Sequence, residues 1–109
     1  MNWSLKFLPE AVKDLKKLAG NQRIMVAKAI DKVLENPLPM QEGGYGKPLG
    51  NKNGNDLSGF LKIKLRNAGI RVVYKVYKYE TEMLVIVVGA RADDEVYESA
   101  QSRIEKYDL

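Results

Sequence analysis

Leu61-Lys62-Ile63-Lys64-Leu65-Arg66-Asn67-Ala68-Gly69-Ile70-Arg71-Val72-Val73-Tyr74-Lys75-Val76-Tyr77 alternates apolar and cationic residues on either side of a short turn signal. Period-two alternation marks a half-buried strand, and Asn67-Ala68-Gly69 is turn chemistry, so residues 60–66 and 70–77 read as a β-hairpin. Strand periodicity sends Leu61, Ile63 and Leu65 to one face and Lys62, Lys64 and Arg66 to the other, with cations about 7 Å apart along the strand. Ile70, Val72, Tyr74 and Val76 form the inward set of the second strand. A regular register then adds Arg71 and Lys75 to the cationic face.

The flanking sequence extends this hairpin. After a turn near Glu80-Thr81, residues 83–89 are apolar at nearly every position, the mark of a strand buried on both faces at the middle of a sheet. Asp93-Asp94-Glu95 opens a final helix with acids in its first turn, where they favour the macrodipole, and the helix runs to about Lys106. Upstream, residues 37–59 hold three prolines and few large apolar groups, which predicts a long surface loop. Such a loop suits either a functional segment or a loosely packed insertion.

Residues 3–7 alternate as a short strand, and Pro9 suits the first turn of a helix. Ala11, Val12, Leu15 and Leu18 recur at helical spacing with Lys13, Lys16 and Lys17 outside, until Gly20 and Asn21 stop the helix. Ile24, Ala27, Ile30, Val33 and Leu34 make a second apolar stripe, which Asn36-Pro37 ends. The order is β-α-α-β-β-β-α. This predicts an α+β fold, an antiparallel sheet with a helical hairpin packed on one face, in one domain over residues 1–109.

The size agrees: 109 residues with 45% hydrophobic and 29% charged content suffice for one modest core. The longest apolar run, residues 83–88, is too short to span a bilayer, and a soluble cytoplasmic protein is expected. The absence of cysteine excludes disulfides and thiolate nucleophiles, and the absence of histidine removes the usual acid–base group and the commonest metal ligand. Enzyme chemistry here is left to Lys, Arg, Tyr, Asp and Glu.

The net charge of +4 is unevenly spread. Residues 1–56 hold nine basic and six acidic side chains, residues 57–79 hold six basic and none acidic, and residues 80–109 hold three basic and eight acidic. An open sheet face that merely needs solvation usually mixes charge signs, because like charges across strands repel. Exclusion of acids from the hairpin therefore favours a polyanionic partner, nucleic acid first. Charge alone does not assign catalysis.

Two residues lie beyond the hairpin. Arg91 follows Val88-Gly89, and Tyr97 stands six residues later in the last helix. Read singly, Arg91 is an ion-pair partner for Asp93 or Asp94, and Tyr97 is a packing residue. Together, Leu61-Lys62-Ile63-Lys64-Leu65-Arg66, Gly69, Arg71, Val73-Tyr74, Val76, Val88-Gly89, Arg91 and Glu95-Val96-Tyr97 resemble the RelE family of toxin ribonucleases. Phe7, Ala11, Leu15-Lys16-Lys17-Leu18 and Asn36-Pro37 resemble the wider RelE/ParE superfamily. The likeness covers nearly the whole chain apart from residues 39–56, a loop longer than in compact members.

The resemblance implies a toxin of a type II toxin–antitoxin system that cleaves messenger RNA in the ribosomal decoding site, with no metal or other cofactor. The 2′-hydroxyl attacks the neighbouring phosphate, leaving a cyclic phosphate and a 5′-hydroxyl. That step needs a base, cations for the phosphorane and a proton for the leaving oxygen. On the family pattern Lys62 and Lys64 supply base and charge stabilisation, Arg71 holds the phosphate, Arg91 serves the leaving oxygen, and Tyr97 orients or stacks on the nucleotide. Arg66 and Lys75 add RNA-binding charge. Because guanidinium barely deprotonates, Arg91 suits charge stabilisation and leaves Tyr97 a candidate for proton transfer. The implied partners are a cognate antitoxin, which covers the cationic face or displaces the final helix, and operator DNA bound through that antitoxin. A ParE-like inhibitor of DNA gyrase, which shares the fold, and a nucleic-acid-binding module without catalysis are the alternatives.

Overall fold

The computed structural model describes residues 2–52, 54–90 and 93–109. The elements in order are β1 (Ser4–Phe7), α1 (Pro9–Lys17), α2 (Gly20–Leu34), β2 (Lys47–Pro48), β3 (Asn51–Lys52), β4 (Asn55–Asp56), β5 (Leu61–Leu65), β6 (Ile70–Tyr77), β7 (Glu82–Gly89) and α3 (Asp93–Tyr107). Five strands form one sheet in the order β1-β7-β6-β5-β2, and β3 pairs with β4 separately. The α+β class, the helical pair and the β5–β6–β7 meander are as expected. One pairing departs from the antiparallel expectation, because β1 runs parallel to β7 with Leu5 beside Met83 and Phe7 beside Val85.

Burial explains the composition of β7. It lies between β1 and β6, and Met83, Val85, Ile86, Val87 and Val88 are all buried. Ala11 of α1, Val26, Ile30 and Val33 of α2, and Ile70, Val72 and Tyr74 of β6 belong to the same apolar cluster.

The break between the helices falls earlier than the glycine signal suggests. Leu18 and Ala19 are extended, Gln22 Oε1 accepts a hydrogen bond from the Ala19 N–H at 3.1 Å, and Gly20 and Asn21 already belong to α2. Thus Gln22 satisfies a backbone donor as one half of a capping box, and Gly20 opens a helix instead of closing one.

Residues 37–59 also correct the expectation of a plain loop. Pro39 bridges to Gly46, Met40–Glu42 make a 3-10 turn, and β2 joins the sheet along β5. The Tyr74 hydroxyl, with its pKa raised by burial, stays protonated and donates to the Pro37 carbonyl at 2.9 Å. A Cβ on Gly46 would collide with that hydroxyl oxygen, so this turn requires glycine. Leu57 is fully buried and anchors the far end of the segment.

Candidate active site

Backbone register assembles the site. In the β5–β6 hairpin, Leu61 pairs with Tyr74, Ile63 with Val72 and Leu65 with Ile70, while Lys62 pairs with Val73 and Lys64 with Arg71. Paired residues share a face, so the first set turns to the core under α1 and α2 and the second to the opposite face, on which Val96 of α3 packs over Gly89, the β7 partner of Arg71. Lys64 and Arg71 therefore stand directly opposite each other, about 5 Å apart at Cα, with Lys62 one step along the same side. All three are half-buried. A low-dielectric flank of this kind strengthens attraction for an anion at their centre.

The basic face is not open along its whole length. Val73 is 0% exposed and its partner Val87 is 3% exposed, although both stand on the Lys62 side of the sheet. Lys75, next on that side of β6, donates from Nζ to the Leu109 main-chain oxygen at 2.9 Å and lies near the Phe60 and Tyr77 rings. Packing with the end of the chain thus occupies Lys75.

Arg66 departs from the strand. It opens the 3-10 turn Arg66–Ala68, which closes through Gly69 at φ 66, and it is exposed beyond the end of β5. The turn redirects the backbone one residue before the alternation would have placed Arg66 beside Lys64. Tyr97 is 2% exposed, so in this conformation its ring offers no face to a nucleotide base. Arg91 lies outside the described residues.

One cation on this face was not among the sequence candidates. Lys47 of β2 pairs with Lys62 of β5 at the sheet edge and is exposed. Its signal was Pro48, since proline within a sheet is confined to edges. Among the described residues no group of three or more His, Cys, Asp or Glu side chains could hold a metal ion. No helix there is long and apolar enough to cross a membrane.

Comparison with known proteins identifies the family. Residues 5–95 match the family model of the ParE toxin of the type II toxin–antitoxin system parDE. The chain is 35% identical over 104 residues to the mRNA interferase toxin RelE of Escherichia coli strain K12, covering 95% of this chain and 99% of that one. The isolated E. coli RelE toxin superposes with a TM-score of 0.67 at 32% identity, over 94% of this chain and 98% of that one. RelE in the intact E. coli RelBE toxin–antitoxin complex gives a TM-score of 0.63 at 31% identity, over 83% and 98%. The chain therefore belongs to the RelE/ParE superfamily of type II toxins.

Proposed function

We propose that this chain is a RelE-type mRNA interferase, an endoribonuclease toxin acting on messages held in the ribosome and restrained by a cognate antitoxin. The observation that carries the reading is the facing pair Lys64 and Arg71, with Lys62 beside it on the same sheet face. The relative named mRNA interferase toxin RelE, similar over almost its whole length, supports it. The toxin works as one domain in the cytoplasm, where messages are translated. Its antitoxin counterpart is suggested by the RelBE complex.

In the reaction so drawn, the 2′-oxygen forms a bond to the adjacent phosphorus as the bond from phosphorus to the 5′-oxygen breaks. A proton leaves the 2′-hydroxyl for a base and another reaches the departing oxygen. Lys62 and Lys64 take the base and charge-stabilising roles, and Arg71 grips the phosphate, where a guanidinium fork binds two oxygens together. Arg91 stabilises charge at the leaving oxygen. Tyr97 takes part once the start of α3 moves to expose it. With no histidine in the chain, the site stabilises charge better than it moves protons.

A second reading, inhibition of DNA gyrase, is favoured by the ParE description of the matching family model. One experiment separates the two: controlled expression, mapping of message 5′ ends on translating ribosomes, and a gyrase supercoiling assay. Codon-phased cuts that vanish in Lys64→Ala with supercoiling intact support the interferase. Intact message with blocked supercoiling overturns it.

A further inference from the structure

We propose that Lys47 is a further RNA-positioning residue, which binds the backbone phosphate next to the scissile one on the Lys62 side of the site. The inference rests on the RNA-cleaving reading and adds a subsite to it. Register is the first argument: β2 pairs with β5 through Lys47 opposite Lys62 and Pro48 opposite Leu61, so Lys47 shares the face of Lys62, Lys64 and Arg71. It extends the basic row one strand outward, about 5 Å from Lys62 at Cα, away from Arg71.

Placement is the second argument. Lys47 does not ride on a loose loop. The Met40 N–H donates to the Gly46 carbonyl at 2.8 Å, Tyr45 N–H to Asn36 O at 2.9 Å, and Leu49 N–H to Phe60 O at 3.0 Å. Glu42 of the same segment is held by Lys78 at 2.6 Å. These contacts fix the backbone on both sides of Lys47, so its side chain leaves the sheet from a fixed point beside β5.

Charge is the third. Lys47 faces Lys62, and Lys64 faces Arg71, so two successive cross-strand pairs on one face are like-charged. Like charges directly opposite each other repel. The acids nearest in the segment are turned elsewhere, Glu42 to Lys78 and Asp56 to Ser58. Such a row suits two phosphates along one RNA strand, one at Lys62, Lys64 and Arg71 and the next at Lys47.

The test is single-turnover cleavage of a defined message in the ribosomal decoding site, with toxin concentration and salt varied, for the wild type, Lys47→Ala, Lys47→Arg, Lys47→Glu and Lys64→Ala. Lys47→Ala should raise the half-saturating toxin concentration roughly 3-fold and reduce the salt slope by about 0.7, with a smaller effect on the maximal rate. Lys47→Arg should restore both, and Lys47→Glu should bind more weakly than Lys47→Ala. Unchanged half-saturation and salt slope in Lys47→Ala, beside a crippled Lys64→Ala, would overturn this inference alone. A wild type that cuts nothing, or a Lys64→Ala variant that cuts normally, would overturn the RNA-cleaving reading and this one with it.

Discussion

Arg103 of α3 donates to both carboxylate oxygens of Asp14 on α1, at 2.6 and 3.1 Å. The pair completes an unfinished sheet edge. β1 accompanies β7 only as far as Phe7 beside Val85, and beyond that point no strand among the described residues borders this edge of β7. The Val88 N–H donates to Asp14 at 3.1 Å, and Arg103 donates to the Ile86 carbonyl at 2.8 Å. Two charged side chains thereby take the place of the missing strand, and tie both helices to the strand leading toward Arg91.

This relationship predicts a large loss of stability on breaking it. The side chains are only 17% and 14% exposed, so Asp14→Ala leaves a mostly buried guanidinium and an amide without its acceptor. The expected cost is about 2–4 kcal/mol. The double variant Asp14→Ala/Arg103→Ala should lose less than the sum of the singles. Denaturant unfolding of all three variants checks both statements, and additive losses would contradict the second.

Acid should loosen the last turn of α3. Glu10 accepts hydrogen bonds from Lys106 at 2.9 Å and from Tyr107 at 2.8 Å. The bond from Lys106, then that from Tyr107, lowers its pKa from the ordinary 4.5 to about 2. The folded value lies below the unfolded one, so the contribution is full above about pH 4.5 and disappears as the pH falls toward 2. Glu10→Gln should melt below the wild type at neutral pH, and the two curves of Tm against pH should converge near pH 2. A constant gap would contradict the assignment.

The Tyr74 hydroxyl carries the segment that presents Lys47. Tyr74→Phe removes the donor from a buried carbonyl, that of Pro37, at an expected cost of about 1–3 kcal/mol. Limited proteolysis should then cut within residues 37–48 faster than in the wild type. Unchanged cleavage with unchanged stability would show that the segment is held without this bond.

The sequence made the hairpin legible because alternation in the β5 and β6 region is nearly uninterrupted, and it placed β7 centrally because a strand with two buried faces needs no polar position. Lys62, Lys64 and Arg71 followed from period-two geometry. Arg66 did not, since whether a strand or a 3-10 turn claims its last residue depends on the Gly69 closure. Lys47 was missed because β2 is two residues long, with no periodicity to read. The parallel pairing of β1 with β7 joins segments far apart in sequence, which no local pattern encodes. The burial of Tyr97 is likewise a product of how α3 docks.

Free RNA should be a poor substrate. No residue of the site ordinarily titrates near neutral pH, so much of the rate must come from holding the 2′-oxygen, phosphorus and leaving oxygen in line, a task the decoding site shares. A message bound in the ribosome should be cut at least about 100-fold faster than the same RNA alone. Similar single-turnover rates for the two would contradict this division of labour.

The central claim is that the face bearing Lys62, Lys64 and Arg71 stabilises the phosphorane on ribosome-bound message. Its most direct measurement is the saturating single-turnover rate of Lys64→Ala against the wild type on that substrate, with folding of the variant verified by its melting curve. The expected result is a rate lower by about 100-fold or more at nearly unchanged stability. A folded Lys64→Ala that cuts within twofold of the wild type would contradict the claim.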